Sequence, residues 1–286
     1  MIIIRTVSAV RDAVRSARAR GERIGLVPTM GAFHDGHRTI MRRAAEHNDC
    51  VIVSLFVNPA QFNEAIDLER YPRHEQRDAE IAASAGVSVL FAPAVSEVYP
   101  NGFVSSVEVA ALAAPLEGEV RGAQHFRGVA TVVAKLLNMI QPDDVFFGQK
   151  DAQQALILQC MAQDLNFPVR VEICPTVREP DGLAMSSRNA LLDADARRRA
   201  PALFQALFAV TKAVEGGETR STHALAAGRL TLAAHAIVPE YFSAVSMLTL
   251  EPVDQIREPT LIAIAARLGT VRLIDNVVVG ASGWSQ

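Results

Sequence analysis

Ile24-Gly25-Leu26-Val27-Pro28-Thr29-Met30-Gly31-Ala32-Phe33-His34-Asp35-Gly36-His37 is the stretch on which the fold turns. Ile24 to Val27 form a short apolar run stopped at Pro28, and the run reads as a buried strand. Residues 38–47 then carry a helical pattern and lead into residues 51–56, whose β-branched side chains suit an interior parallel strand. Working outward, Val7, Val10, Val14 and Ala17 recur at helical spacing, with Gly21 as a stop. Further strand-like runs lie at 87–91, 145–147 and 169–173, with helical stretches at 128–140 and 152–164. Such alternation predicts an α/β fold: a Rossmann-like parallel sheet with helices on both faces, over residues 1–175.

After Pro175 the pattern changes. Helical stretches near 193–214 and 222–237 precede strand-like runs at 241–250, 261–267 and 271–276. Helices followed by consecutive strands predict a second, smaller α+β domain with an antiparallel sheet, over residues 176–286.

Composition bounds the function. Of 286 residues 50% are apolar and 21% charged, which suits a packed globular protein. A formal charge of -3 leaves no basic footprint for nucleic acid. Cys50, Cys160 and Cys174 have neither zinc-like nor CxxC spacing, so a reduced cytoplasm is the expected location. The apolar start ends at Arg5, too soon for a signal peptide, and residues 129–140 are too few to span a bilayer.

In open α/β sheets ligands bind beyond the carboxyl ends of the strands. Four polar, glycine-containing or amide-bearing segments follow directly on predicted strands: 28–37, 57–62, 148–154 and 176–189. In the first, a helix start offers backbone N–H groups and partial positive charge to a phosphate. His34 and His37, three apart, can share one face of the first turn and donate to phosphate oxygens. Taken alone, the pair also reads as half-buried surface histidines or a metal site. In the third, Gly148 frees the backbone, Lys150 offers a point charge and Gln154 can bond a hydroxyl or carboxylate. A solvated helix start capped by Asp151 is the other reading. In the fourth, Ser186, Ser187 and Arg188 could clamp a triphosphate, or the loop could be a plain linker. Asn58 and Gln61 could present amides to a substrate or close a structural turn.

These segments resemble a known family. The strand–His-x-Gly-His–helix arrangement is similar to nucleotidyltransferases and class I aminoacyl-tRNA synthetases. The fuller set resembles the pantoate–β-alanine ligases: Pro28-Thr29-Met30-Gly31, Phe56-Val57-Asn58-Pro59 with Gln61-Phe62, and Tyr71-Pro72-Arg73. Lys150-Asp151 with Gln153-Gln154, Met185-Ser186-Ser187-Arg188-Asn189 and Leu273-Ile274-Asp275-Asn276 complete it. The resemblance implies ATP as co-substrate with Mg²⁺, pantoate and β-alanine as substrates, a pantoyl adenylate between them, and a homodimer. It places ATP on Met30, Gly31, Ala32, Phe33, His34, Asp35, Gly36 and His37. Gly148, Gln149, Lys150, Asp151 and Val177 would join them, as would Met185, Ser186, Ser187 and Arg188. His37, His34, Lys150, Ser186, Ser187 and Arg188 would be catalytic, and Gln61 and Gln154 would hold pantoate. The smaller domain would act as a lid. Metal ligands stay unassigned, with Asp78 the one acidic group named near Mg²⁺. The chain departs from the family at Arg121-Gly122-Ala123-Gln124-His125-Phe126-Arg127-Gly128-Val129, which is a residue longer than usual and lacks a proline.

Three other readings compete. A nucleotidyltransferase acting on a phosphorylated acceptor would keep the histidines but has no need of Gln61 and Gln154. A nicotinamide-dependent dehydrogenase should carry Gly-x-Gly-x-x-Gly in its first turn, and the 28–36 turn does not. A non-catalytic ATP sensor would bind without turnover.

Overall fold

The computed structural model describes residues 1–280; residues 281–286 of the expected second domain lie outside the described ones. The described residues form two compact units, one of Met1–Gly148 with Gln153–Cys174, the other of Gln149–Ala152 with residues 175–280.

The first unit is built on six strands: β1 (Ile2–Ile4), β2 (Ile24–Thr29), β3 (Cys50–Leu55), β4 (Val89–Phe91), β5 (Asp144–Gly148) and β6 (Arg170–Cys174). Their order is β1-β4-β3-β2-β5-β6, and every pairing is parallel. The expected parallel sheet is present. Ile24, Leu26, Ile52, Leu90 and Phe91 are fully buried, each contributing roughly 1.5–3 kcal/mol. Helix Val7–Ala19 buries Val10, Val14 and Ala17, the face its spacing predicted. Strand β1 went unread because three residues, two of them exposed, carry no period. Its place beside β4 is a long-range pairing.

Strand order reverses at β2. The chain runs from β2 to β3 and β4 on one side, then returns to β5 and β6 on the other. β3 pairs along the whole of β2, whereas β5 pairs with it only at Gly25 and Leu26. Pro28, which has no N–H to give, therefore sits beyond the β2–β5 ladder. A ladder that stops early at a switch point leaves the crevice where such folds bind ligands.

At the opposite, amino edge Asp143 accepts from Ile24 N at 2.7 Å. Asp144, fully buried, accepts from Arg23 at 2.8 Å and Arg170 at 2.6 Å. Burial pushes the Asp144 carboxyl up, but the Arg170 and Arg23 guanidiniums outweigh it and hold it below the usual carboxylate value.

The second unit carries an antiparallel sheet of β7 (Pro239–Ser246), β8 (Thr260–Leu268) and β9 (Val271–Val279), in that order. Helices Ala202–Glu215 and Ser221–Ala234 share a core with it, including Leu203, Leu207, Phe242, Ile262 and Ile264. The helix expected over 193–214 is two, Ala194–Arg199 and Ala202–Glu215, because Pro201 cannot continue the first. The strand expected over 241–250 ends at Ser246, whose hydroxyl accepts from Leu248 N and Thr249 N and turns the chain.

Candidate active site

In the first unit, the turn leaving β2 is held open by a buried acid. Gly31 has φ 96° and Ala32 φ 54°, so two successive residues are left-handed and their amides converge. Asp78 accepts from Ala32 N at 2.9 Å and Phe33 N at 2.8 Å and is 1% exposed. A Cβ at Gly31 would lie 2.7 Å from Leu55 Cδ1 and 2.9 Å from an Asp78 oxygen, so only glycine fits. Both oxygens of Asp78, the acid expected near Mg²⁺, accept from this loop.

Helix Asp35–His47 begins where that turn ends. His34 is its N-cap and accepts from Gly36 N at 3.1 Å, while His37 Nδ1 accepts from His34 N at 3.4 Å. The two imidazoles thus fill the roles of a capping box, and their ring centroids lie 4.2 Å apart. With each Nδ1 accepting, a neutral ring carries its proton on Nε2 and can donate from there. Asp35 is exposed in the first turn and Phe33 is anchored in the core.

The turn after β3 is organised by Asn58, 1% exposed. Its Nδ2 donates to Gln61 Oε1 at 3.0 Å and Gly128 O at 3.1 Å. Its Oδ1 accepts from Ala60 N at 3.2 Å and the Tyr99 hydroxyl at 2.8 Å. Burial pushes the Tyr99 hydroxyl up to about 12, so it stays a donor. Gln61 Nε2 lies 2.9 Å from Met30 Sδ, which brings the 30–37 and 57–62 segments together. The divergent 121–129 stretch joins the short helix Glu117–Arg121 to helix Ala123–Ile140 through Gly122 at φ 77°. His125 Nδ1 meets Gln61 O at 2.7 Å, and Gly128 admits Ala60 O where a Cβ would be 2.2 Å away. The longer segment is thereby packed against the Gln61 turn.

Gly148 closes β5, and Gln154 is half-buried on helix Ala152–Asp164. Its neighbour Gln153 is structural: it accepts from Glu117 N at 3.0 Å and donates to Leu112 O and Pro115 O.

In the second unit, Gln149, Lys150 and Asp151 form one 3-10 turn, with Lys150 Nζ 3.7 Å from Asp151 Oδ1. The backbone of that turn is carried by Asn276, which donates to Gln149 O at 2.9 Å and Lys150 O at 3.0 Å. Val177 accepts from Met185 N, and Arg178 bridges to Ala184, so residues 177–185 form a small hairpin. Arg178 donates to Asp275 at 2.6 and 3.0 Å, lies 3.9 Å over the Phe204 ring and also bonds Gly182 O. Ser186 Oγ accepts from Arg188 N and starts a 3-10 turn over Ser187–Leu191, leaving Ser187 and Arg188 exposed. Asn189 closes the loop on Glu179 and Ala184 O. Burial raises the Asp275 carboxyl above its ordinary value, and Arg178 opposes that rise.

The residues expected to act thus fall into two groups, one in each unit. Arg178, Tyr99 and the loop-holding role of Asp78 escaped sequence reading. Their partners lie dozens of positions away in the chain, and no local period marks them. Among the described residues no three or more His, Cys, Asp or Glu side chains converge as a metal cage. No helix among them is long and apolar enough to cross a membrane.

Residues 2–278 match the family profile described as Pantoate-beta-alanine ligase. Pantothenate synthetase from Pelotomaculum thermopropionicum is 47% identical over 281 residues, 98% of this chain and 99% of that one. The crystal structure of pantothenate synthetase from Thermus thermophilus is similar at TM-score 0.90 and 43% identity, covering 97% of this chain and 99% of that one. That of pantoate-beta-alanine ligase from Francisella tularensis, complexed with beta-gamma ATP and beta-alanine, has TM-score 0.78 and 33% identity, with 97% of each chain covered.

Proposed function

The chain belongs to the pantoate–β-alanine ligase family, and on that premise we propose that it joins pantoate to β-alanine through a pantoyl adenylate made from ATP. A carboxylate is a poor acyl donor because its leaving group would be oxide. Attack of a pantoate carboxylate oxygen on the α-phosphorus breaks the bond to pyrophosphate and leaves an acyl phosphate ester. The β-alanine amine then attacks the acyl carbon, loses a proton and expels AMP. Neither step needs a protein nucleophile, so the chain acts by positioning reactants and neutralising charge.

Supporting this reading above all is the pair His34 and His37, capping the helix that leaves the central strand β2. His37 acts as the acid toward the departing phosphate, with His34 beside it. The 30–33 turn and the helix start receive nucleotide phosphate. Gln61 and Gln154 hold pantoate. Lys150 places charge on phosphate, and Met185 to Arg188 add two hydroxyls and a guanidinium. Gln149, Asp151 and Val177 contact the nucleotide. Mg²⁺, held by the phosphates of ATP, would neutralise their charge. Among the described residues the acidic side chains form no cage for it, and an ion held by phosphates requires none. A homodimer and a cytoplasmic location belong to the same proposal; the three cysteines are free, as a reduced compartment leaves them.

The test is pyrophosphate and AMP release from ATP, Mg²⁺ and pantoate, with and without β-alanine. Sustained AMP release should need both substrates, and His37→Ala should lower kcat by about a hundredfold or more. Equal turnover without pantoate, or with a phosphorylated acceptor in its place, would sink the proposal.

A further inference from the structure

The Leu273-Ile274-Asp275-Asn276 motif takes no part in the chemistry above, yet it holds two of the segments that do. Asn276 lies within β9, paired with Ala263 of β8, and is 3% exposed. Both donors of its carboxamide are used on one target, the carbonyls of Gln149 and Lys150 at 2.9 and 3.0 Å. Its oxygen accepts from Gln149 Nε2 at 3.2 Å. The turn that presents Lys150 is therefore bonded through its own backbone to the antiparallel sheet. The preceding residue faces the other way, as successive strand residues do. Asp275 takes both guanidinium arms of Arg178, and Arg178 braces the hairpin that runs into Met185–Arg188 through Gly182 O. Asn276 N donates to Asp275 Oδ1 at 2.8 Å, which ties the Asp275 side chain to the backbone of the residue that carries the Lys150 turn.

We infer that Asn276 is a positioning residue for ATP: it sets the place of Lys150 relative to the Met185–Arg188 loop, by tying the Lys150 turn to the strand that braces that loop's hairpin. A carboxamide of this length is required, since aspartate would lose both donors and alanine all three bonds. The inference rests on the proposed role of Lys150 at phosphate.

The experiment is a double-mutant cycle on the full chain with Asn276→Ala and Lys150→Ala. It reads binding of α,β-methylene-ATP by calorimetry, and kcat and KM for each substrate. Asn276→Ala should weaken analogue binding and kcat/KM for ATP by about tenfold or more, the scale of one or two hydrogen bonds, with KM for β-alanine unchanged. In the Lys150→Ala background the same change should have less than a twofold effect, because the group being positioned is gone. Where Asn276→Ala does not fold, Asn276→Leu keeps the volume, adds no charge and removes the same bonds, and the same pattern is expected. Equal effects in both backgrounds, or a lower melting temperature with unchanged ATP parameters, would overturn the inference. A wild-type chain that binds the analogue but makes no pantothenate would overturn the proposed function alone, and the binding cycle would still decide the role of Asn276.

Discussion

Asp78 in the first unit and Asp275 in the second are both nearly buried, and each holds a loop assigned to ATP, but against different donors. Asp78 receives two backbone amides, neutral groups fixed by the left-handed Gly31 and Ala32. Asp275 receives a guanidinium that is itself only 18% exposed and stacked on Phe204. The first arrangement shapes a turn: the acid gathers N–H groups that would otherwise diverge. The second balances a charge, and shape follows from where the charge must sit. A carboxamide can imitate part of the first arrangement and none of the second, so the two sites should respond differently to the same substitution.

Asp275→Asn should have the largest effect on stability. Removing one partner of a buried pair costs about 3–5 kcal/mol, because the Arg178 guanidinium is left without a counter-charge. Chemical denaturation would measure it, and a loss below about 1 kcal/mol would erase the distinction drawn here. Replacing both partners with apolar residues, Asp275→Leu with Arg178→Met, should recover most of the stability.

Asp78→Asn should cost less, about 1–3 kcal/mol, since one oxygen still accepts while the new amide group faces an N–H. Its mark should fall on function. KM for ATP should rise by about tenfold as the 30–33 turn loosens, the equivalent of one hydrogen bond. An unchanged KM would mean that Gly31 and Leu55 fix the turn without the acid.

Asp144 is the control, a charge-paired aspartate at the edge of the sheet away from the site. Asp144→Asn should lower the melting temperature with little change in kcat. Its folded carboxyl titrates below the unfolded one, so its contribution is fully present above the unfolded value of about 4 and is lost as pH falls through the folded value. The melting-temperature gap between wild type and variant should therefore be flat from about pH 5 to 8 and narrow below about pH 4. A gap that persists at low pH would mean that packing, not charge, fixes this edge.

Much of this was legible in the chain. Periodicity separated the parallel sheet from the antiparallel one, since strands buried on both faces read as unbroken apolar runs. The His34 to His37 spacing and its place after β2 could be read because a helix cap is a local device, built from residues three apart. Pro201 and Ser246 defeated two boundaries by breaking a period that the surrounding residues continued.

By itself, then, the sequence determined the strand–helix alternation of the first unit, the helices and then strands of the second, and the family the chain belongs to. Tertiary structure alone decided that Asp78 holds the 30–33 turn, that Tyr99 and Asn58 support Gln61, and that Asn276 carries Lys150. The physical reason lies in range. Hydrogen bonds between neighbours along a helix or turn leave a spacing in the chain, whereas a buried side chain that finds its partners 46 or 126 positions away leaves none.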